Sequence, residues 1–93
     1  MDLQLALKAE YFDQIKRGEK VEEYRLRTPY WAKRLEGRDY DSIVLTLGYP
    51  DKYCHERRLK LKWRGFELKV ITHKHFGPDP VEVYAIRVEL LKD

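Results

Sequence analysis

Between Arg58 and Val70 the chain alternates between charged and apolar side chains. Leu59, Leu61 and Trp63 interleave with Arg58, Lys60, Lys62 and Arg64; after Gly65, Phe66, Leu68 and Val70 interleave with Glu67 and Lys69. A period of two is the mark of a strand with one face on a core and the other in water, and Arg64-Gly65 between two such runs reads as a turn. The expectation is a hairpin that buries Trp63 and Phe66 and turns every second residue, a basic one, outward. A chain committed to this pattern must contain a sheet. The sequence after Asp41 extends it: Ser42 to Leu47 is aliphatic enough for a central strand, Gly77-Pro78-Asp79-Pro80 reads as a loop, and Val81 to Leu91 reads as a closing strand with Tyr84, Ile86, Val88 and Leu90 inward.

The first forty residues mix periods. Leu3, Leu5 and Leu7 alternate in a short strand that ends at Lys8. Ala9 to Arg17 reads as a helix with Phe12 and Ile15 inward and Tyr11 a further candidate for that side; Lys16 and Arg17 suit its carboxyl end, and Gly18 supplies a left-handed stop. Lys20 to Arg27 is extended. Thr28-Pro29 opens a second helix, with a hydroxyl to cap it and a proline for its first position, running through Trp31 and Leu35 to Gly37. The order β-α-β-α-β-β-β-β predicts an α+β fold. Short strands with few tight turns suit a small mixed barrel of about five to six strands, its end plugged by two short helices.

With 93 residues the chain is expected to be a single domain, residues 1–93, with one modest core. Charged residues make up 38% of it, so that core sits under a heavily charged surface. Cys54 is the one cysteine, which rules out an internal disulfide and favours a reducing compartment. Met1 to Leu5 lacks the pattern of a secretory signal, and no apolar run approaches the roughly 20 residues that cross a bilayer. The expectation is a cytoplasmic protein without a membrane partner. Net charge is +3, but residues 52–75 alone carry +6 and the remainder −3. Such asymmetry suits a polyanion or an acidic partner, while a lysine-rich edge kept soluble and protected from strand pairing is the plainer explanation.

The segment Gly18-Glu19-Lys20-Val21-Glu22-Glu23-Tyr24-Arg25 concentrates the candidate chemistry. On a strand, Val21, Glu23, Arg25 and Arg27 share one face and Lys20, Glu22, Tyr24 and Leu26 the other. Glu23 and Arg25 then stand about 7 Å apart, within reach of each other's long side chains. Partly buried, such a pair holds both groups ionised, and Lys20 enters just beyond the helix stop. Acid, base and cation within six residues suit a pocket that reads a polar ring or cleaves a phosphodiester. The alternative is a solvated edge strand with cross-strand ion pairs. A second candidate is the basic row Arg58, Lys60, Lys62 and Arg64, spaced at about 7 Å for the phosphates of a nucleic-acid backbone. Tyr49 and Tyr53, in a polar loop, are candidates for stacking on bases. His55, His73 and His75 with Cys54 do not make a recognised zinc spacing, and no glycine-rich phosphate loop is present, so neither metal nor cofactor is expected. Asp39 and Asp41 bracket Tyr40 as turn residues.

The run from Leu5 to Arg25 resembles the opening of an ASCH domain: a strand ending near lysine, a short helix ending I-x-x-G, then G-x-K-x-x-E-x-R. Ile15, Gly18, Lys20, Glu23 and Arg25 fill those places in order, over about a quarter of the chain. Leu45-Thr46-Leu47-Gly48-Tyr49-Pro50 is similar to an aliphatic strand running into a small-aromatic-proline turn in one branch. The resemblance implies a PUA-like β-barrel whose mouth-side cleft takes RNA or modified nucleosides. It implies that Lys20, Glu23 and Arg25 line that cleft, and Lys8 and Tyr49 are expected in the cleft with them. One branch, similar to acetylcytidine amidohydrolases, carries threonine three residues after the lysine. This chain has Glu23 there, and a carboxylate does not replace a hydroxyl nucleophile, which argues against that deacetylase activity.

Three functions fit these readings. The first is an RNA- or nucleoside-binding domain with a charged cleft at Lys20, Glu23 and Arg25. In it Arg58, Lys60, Lys62 and Arg64 hold the backbone of single-stranded RNA. The second is a ribonuclease or nucleoside-processing hydrolase: Lys20 stabilises the phosphorane oxygens and Glu23 takes the 2′-hydroxyl proton. The third is a protein-interaction domain for an acidic partner. The oligomeric state is not legible.

Overall fold

A computed structural model of the chain describes residues 1–50 and 54–90. Tyr53 and Leu91, assigned to a stacking loop and to the closing strand, lie outside the described residues. The elements in order are β1 (Asp2–Leu7), α1 (Ala9–Lys16), β2 (Glu22–Leu26), α2 (Pro29–Leu35), β3 (Ser42–Leu47), β4 (Arg58–Lys62), β5 (Phe66–His73) and β6 (Gly77–Arg87). Short 3₁₀ turns at His55–Arg57 and Lys74–Phe76 precede β4 and β6. The fold is α+β: six strands in two small sheets, with two helices.

The helix boundaries follow the local chemistry. Gly18 takes φ 80° after α1, and the N–H of Glu19 returns to the carbonyl of Gln14 at 2.8 Å, closing the helix end. Thr28 caps α2, its Oγ1 accepting from the Trp31 N–H at 3.4 Å, with Pro29 in the first turn. The leucine alternation of β1 holds, with Leu3, Leu5 and Leu7 all buried.

The sheets differ from the expected barrel. One has the order β1-β3-β4, with β1 parallel and β4 antiparallel to β3; the other has the order β2-β6-β5 and is antiparallel throughout. Among the described residues no ladder joins β4 to β5 or β1 to β2, so no closed barrel forms. The expected hairpin of β4 and β5 is therefore corrected to a corner. Trp63 donates its N–H to Asp41 in the first sheet at 3.4 Å, whereas the Gly65 carbonyl accepts from Arg87 in the second at 3.1 Å. Gly65, at φ 80°, turns the chain between two different partners.

Two further boundaries move. Gly77–Pro80, expected as a loop, opens β6. Ile71 still pairs with Val81 and His73 with Gly77, and the register shift between them leaves Pro78 and Pro80 without cross-strand partners, where a missing N–H costs nothing. β6 ends at Arg87, although the Val88 N–H still reaches the Val21 carbonyl at 2.9 Å. As the middle strand of its sheet, β6 buries Val83 and Ala85 as well as Tyr84, Ile86 and Val88, so both of its faces are covered. Leucines of β1, Ile43 and Leu45 of β3, Phe12 and Ile15 of α1, Leu35 of α2 and Tyr84 and Ile86 of β6 form one core. Trp63 and Phe66 pack against it, whereas Leu68 and Val70, expected on the same apolar alternation, are 49% and 68% exposed.

Candidate functional site

β1 and β2 are edge strands of different sheets, and a cavity of about 450 Å³ opens where they part. Its floor comes from Ala6 and Leu7 at the end of β1 and from Glu23 and Arg25 of β2. Trp31 and Tyr30 of α2, Tyr11 of α1, Lys20 beyond the Gly18 stop, His73 at the end of β5, and His75 and Phe76 after it complete the lining. Strand β2 can supply two charges to this wall because alternate residues share a face. The structure thus brings Lys20, Glu23 and Arg25 to one cavity.

Glu23 is 5% exposed. Its Oε1 accepts the Tyr24 N–H at 3.0 Å and lies 3.5 Å from Nη1 of Arg25. Its Oε2 is buried and has no hydrogen-bond partner among the described residues. Arg25 spends its guanidinium on the scaffold: Nη1 donates to the Tyr24 carbonyl at 2.9 Å and Nη2 to the Ala6 carbonyl at 3.1 Å. The second bond staples the edge of one sheet to the edge of the other. The Trp31 ring lies 5.4 Å from the guanidinium carbon. Burial pushes the Arg25 pKa down, with the Glu23 carboxylate pulling it back.

Lys20 is the mobile-stemmed cation of the site. Its Nζ sits 4.6 Å from the Tyr24 ring centroid and 5.3 Å from that of Tyr11, in the range of cation–π attraction. Burial lowers its pKa below the ordinary 10.5, opposed by Glu23 and Glu22 and reinforced by Arg25. Glu22, on the opposite face of β2 as its parity requires, is held by Lys69 at 2.8 and 2.9 Å and accepts from the Tyr24 hydroxyl at 3.4 Å. Burial first, then the Glu22 charge, raises the Tyr24 hydroxyl pKa. His75 is pushed down by burial and then by Lys8 and His73, so its imidazole is held toward the neutral form.

Comparison of the chain with protein-family models, with curated proteins and with solved structures finds no match to any of them.

The other sequence candidates are placed differently. Lys8 stands exposed at the start of α1 and lines both the cavity and a shallower neighbouring groove of about 480 Å³. Tyr49, 96% exposed, lines that groove with Arg57 and not the cavity itself. None of Arg58, Lys60, Lys62 and Arg64 lines the cavity. Lys60 lies 3.7 Å from Asp2, Arg64 3.5 Å from Glu89, and Arg58 donates to the Pro50 carbonyl at 3.3 Å. Asp41 receives the amino terminus at 2.6 Å, which lowers its pKa through that hydrogen bond. Among the described residues no group of three or more His, Cys, Asp or Glu is arranged to hold a metal, and no helix is long and apolar enough to cross a membrane. His73 instead accepts from the His75 N–H at 3.1 Å, and both imidazoles pack near the Tyr11 ring. Sequence reasoning missed the aromatic walls Tyr11, Tyr24, Trp31 and Phe76. No sequence signal assigns them to a site, and their meeting depends on how the two sheets part.

Proposed function

We propose that this chain is a PUA-like domain of the ASCH type that binds single-stranded RNA or a modified nucleoside, taking one base into the cavity beside β2. The observation that carries this reading is the cavity itself. About 450 Å³ falls in the range of small-ligand sites, and its walls combine aromatic rings with a carboxylate and cations at fixed places. A splayed base needs a π-face to stack on and polar groups at its edge, and the cavity offers both. Lys8 at the rim suits the adjoining phosphate, Lys20 suits an acceptor on the base, and Arg57 with exposed Tyr49 continues the basic, aromatic character into the neighbouring groove. The two sheets stand as halves of an open barrel in this proposal, with the cleft at its mouth and the cytoplasm as the place of action.

Fluorescence anisotropy with labelled single-stranded RNA tests it. Binding is expected, and Lys20→Ala weakens it by about tenfold or more, the scale of one charge-assisted contact. An RNA that does not bind, or that binds Lys20→Ala equally well, defeats the proposal.

One observation favours a second reading, a hydrolase acting on single-stranded RNA. Lys20 and the buried Glu23 carboxylate line one cavity, so a cation and a base stand beside the same bound group. Glu23 then takes the 2′-hydroxyl proton as that oxygen bonds to phosphorus, Lys20 stabilises the charge on the phosphorane oxygens, and the P–O5′ bond breaks with the 5′-oxygen taking a proton from water. Cleavage of the labelled RNA that persists in both Lys20→Ala and Glu23→Ala removes this assignment.

A further inference from the structure

The Glu23 carboxylate is asymmetric. One oxygen is committed to the Tyr24 N–H and the Arg25 guanidinium; the other is buried with no partner among the described residues, in a side chain that lines the cavity and is 6% exposed. A buried carboxylate oxygen left without a donor is expensive, and native structures rarely keep one idle. The groups around it do not compete for it. Arg25 is occupied by the Ala6 and Tyr24 carbonyls, and Lys20 is drawn to the Tyr24 and Tyr11 rings. The terminal torsion of a glutamate is broad, so a small rotation turns this oxygen toward the cavity.

We infer that Glu23 Oε2 is the specificity acceptor of the cleft: it takes a hydrogen bond from an N–H on the pairing edge of the bound base, an amino or lactam donor. Lys20, a donor only, suits the acceptor that neighbours such a group on every base. The Tyr24 and Arg25 contacts on Oε1 limit that rotation, so Oε2 reaches the donor with little reorganisation. This inference rests on the proposed RNA-binding function and deepens it. A site that leaves a buried acceptor unpaired rejects a ligand lacking the donor far more strongly than one that merely fits loosely.

The probes are ribo-hexamers of uridine, cytidine, adenosine and inosine. Each is compared with a hexamer whose edge N–H is removed: 3-methyluridine for uridine, the pyrimidin-2-one riboside for cytidine, the purine riboside for adenosine and 1-methylinosine for inosine. Wild-type protein is expected to bind at least one parent hexamer and to lose about 10- to 100-fold in affinity for its donor-free counterpart. In Glu23→Gln, which can turn an amide donor inward, the ratio shrinks to about threefold or less. Equal affinity for parent and counterpart in the wild type overturns the inference, as does an undiminished ratio in a folded Glu23→Gln protein. The pyrimidin-2-one and purine ribosides delete the donor without adding bulk, so the wild-type ratios decide the matter if the variant does not fold. Binding of none of the parent hexamers overturns the proposed function and this inference with it. Binding without donor discrimination overturns the inference alone.

Discussion

Glu23 and Arg25 stand two residues apart on β2, and Lys60 and Lys62 two apart on β4. The first pair is withdrawn from water, with side chains 6% and 19% exposed, and is tied to two backbone carbonyls and a backbone N–H. The second pair projects from the solvent side of an edge strand, where Lys60 has only an exposed partner, Asp2, at 3.7 Å. Both stretches are strands in which charge recurs at every second position. What separates them is whether the opposite edge is covered. β2 faces the end of β1 across the cavity, so its charges meet a low-dielectric wall and must be satisfied individually. β4 presents its charges to water, which satisfies them at no structural cost. Charge density along a sequence therefore does not identify a site; enclosure does.

The sharpest way to break this comparison is Arg25→Ala. Removing one partner of a buried pair leaves the Glu23 charge uncompensated, and it also removes the staple to the Ala6 carbonyl. A loss of about 3–5 kcal/mol is expected in urea unfolding. Arg64→Ala, whose partner Glu89 also has Arg87 at 2.7 Å, should shift stability by less than about 0.5 kcal/mol. Equal effects of the two substitutions would mean that the β2 pair is solvated after all.

Thr28→Ala tests how far the cavity depends on α2. The hydroxyl caps the helix that carries Tyr30 and Trp31 into the wall, and its loss should cost about 1 kcal/mol. RNA affinity should fall alongside, because the Trp31 ring under Arg25 loses its fixed position. Stability that drops while affinity holds would detach the wall from the helix cap.

Lys20→Met is expected to act in the opposite direction on stability. A half-buried ammonium is a liability for folding, so replacing it with an apolar side chain of similar length should stabilise the protein. After allowance for screening by solvent, the gain is on the order of 0.5 kcal/mol. The sign follows from linkage. The folded pKa of Lys20 lies below 10.5, so the folded state sheds this proton before the unfolded chain does. Wild-type stability therefore gains from this group as pH rises from the depressed folded value toward 10.5, and the penalty is fully present below it. The difference between Lys20→Met and wild type in pH-resolved urea midpoints should be largest near neutrality and should shrink over that alkaline window. A difference that does not change with pH would show that burial does not act on the Lys20 charge.

Much of this geometry is legible along the chain. The parity of β2 puts Glu23 and Arg25 on one face and Glu22 on the other, and the stop at Gly18 delivers Lys20 to the rim. Thr28-Pro29 marks the start of the helix that brings Trp31. These are local signals, each decided within one or two turns of chain. The partner of each strand is not local. Arg64-Gly65 announces a change of direction, which a hairpin and a corner between sheets share. Which of them forms depends on whether Asp41 and Arg87, over twenty residues away on either side, claim the flanking backbone groups. The same holds for the cavity. Tyr11, Trp31 and Phe76 converge from three separate segments, and nothing in their own spacing announces it.

The smallest expected effect on stability belongs to Lys60→Glu with Lys62→Glu, and its value lies in what happens to RNA binding. Both side chains are exposed and neither lines the cavity, so urea unfolding should move by no more than about 0.5 kcal/mol. If the β4 face holds the RNA backbone, neutralised phosphates are lost. The slope of log affinity against log salt should then flatten by about 1.4 for two contacts to a single strand. Discrimination at the cleft should remain, because phosphate contacts carry no base information. Lys20→Ala should show the converse: a loss of affinity for every RNA with little change in slope beyond a single contact. An unchanged slope in the β4 variant would leave the cleft and its adjoining Tyr49–Arg57 groove as the whole RNA surface. The charge alternation of β4 would then serve only to keep an edge strand soluble.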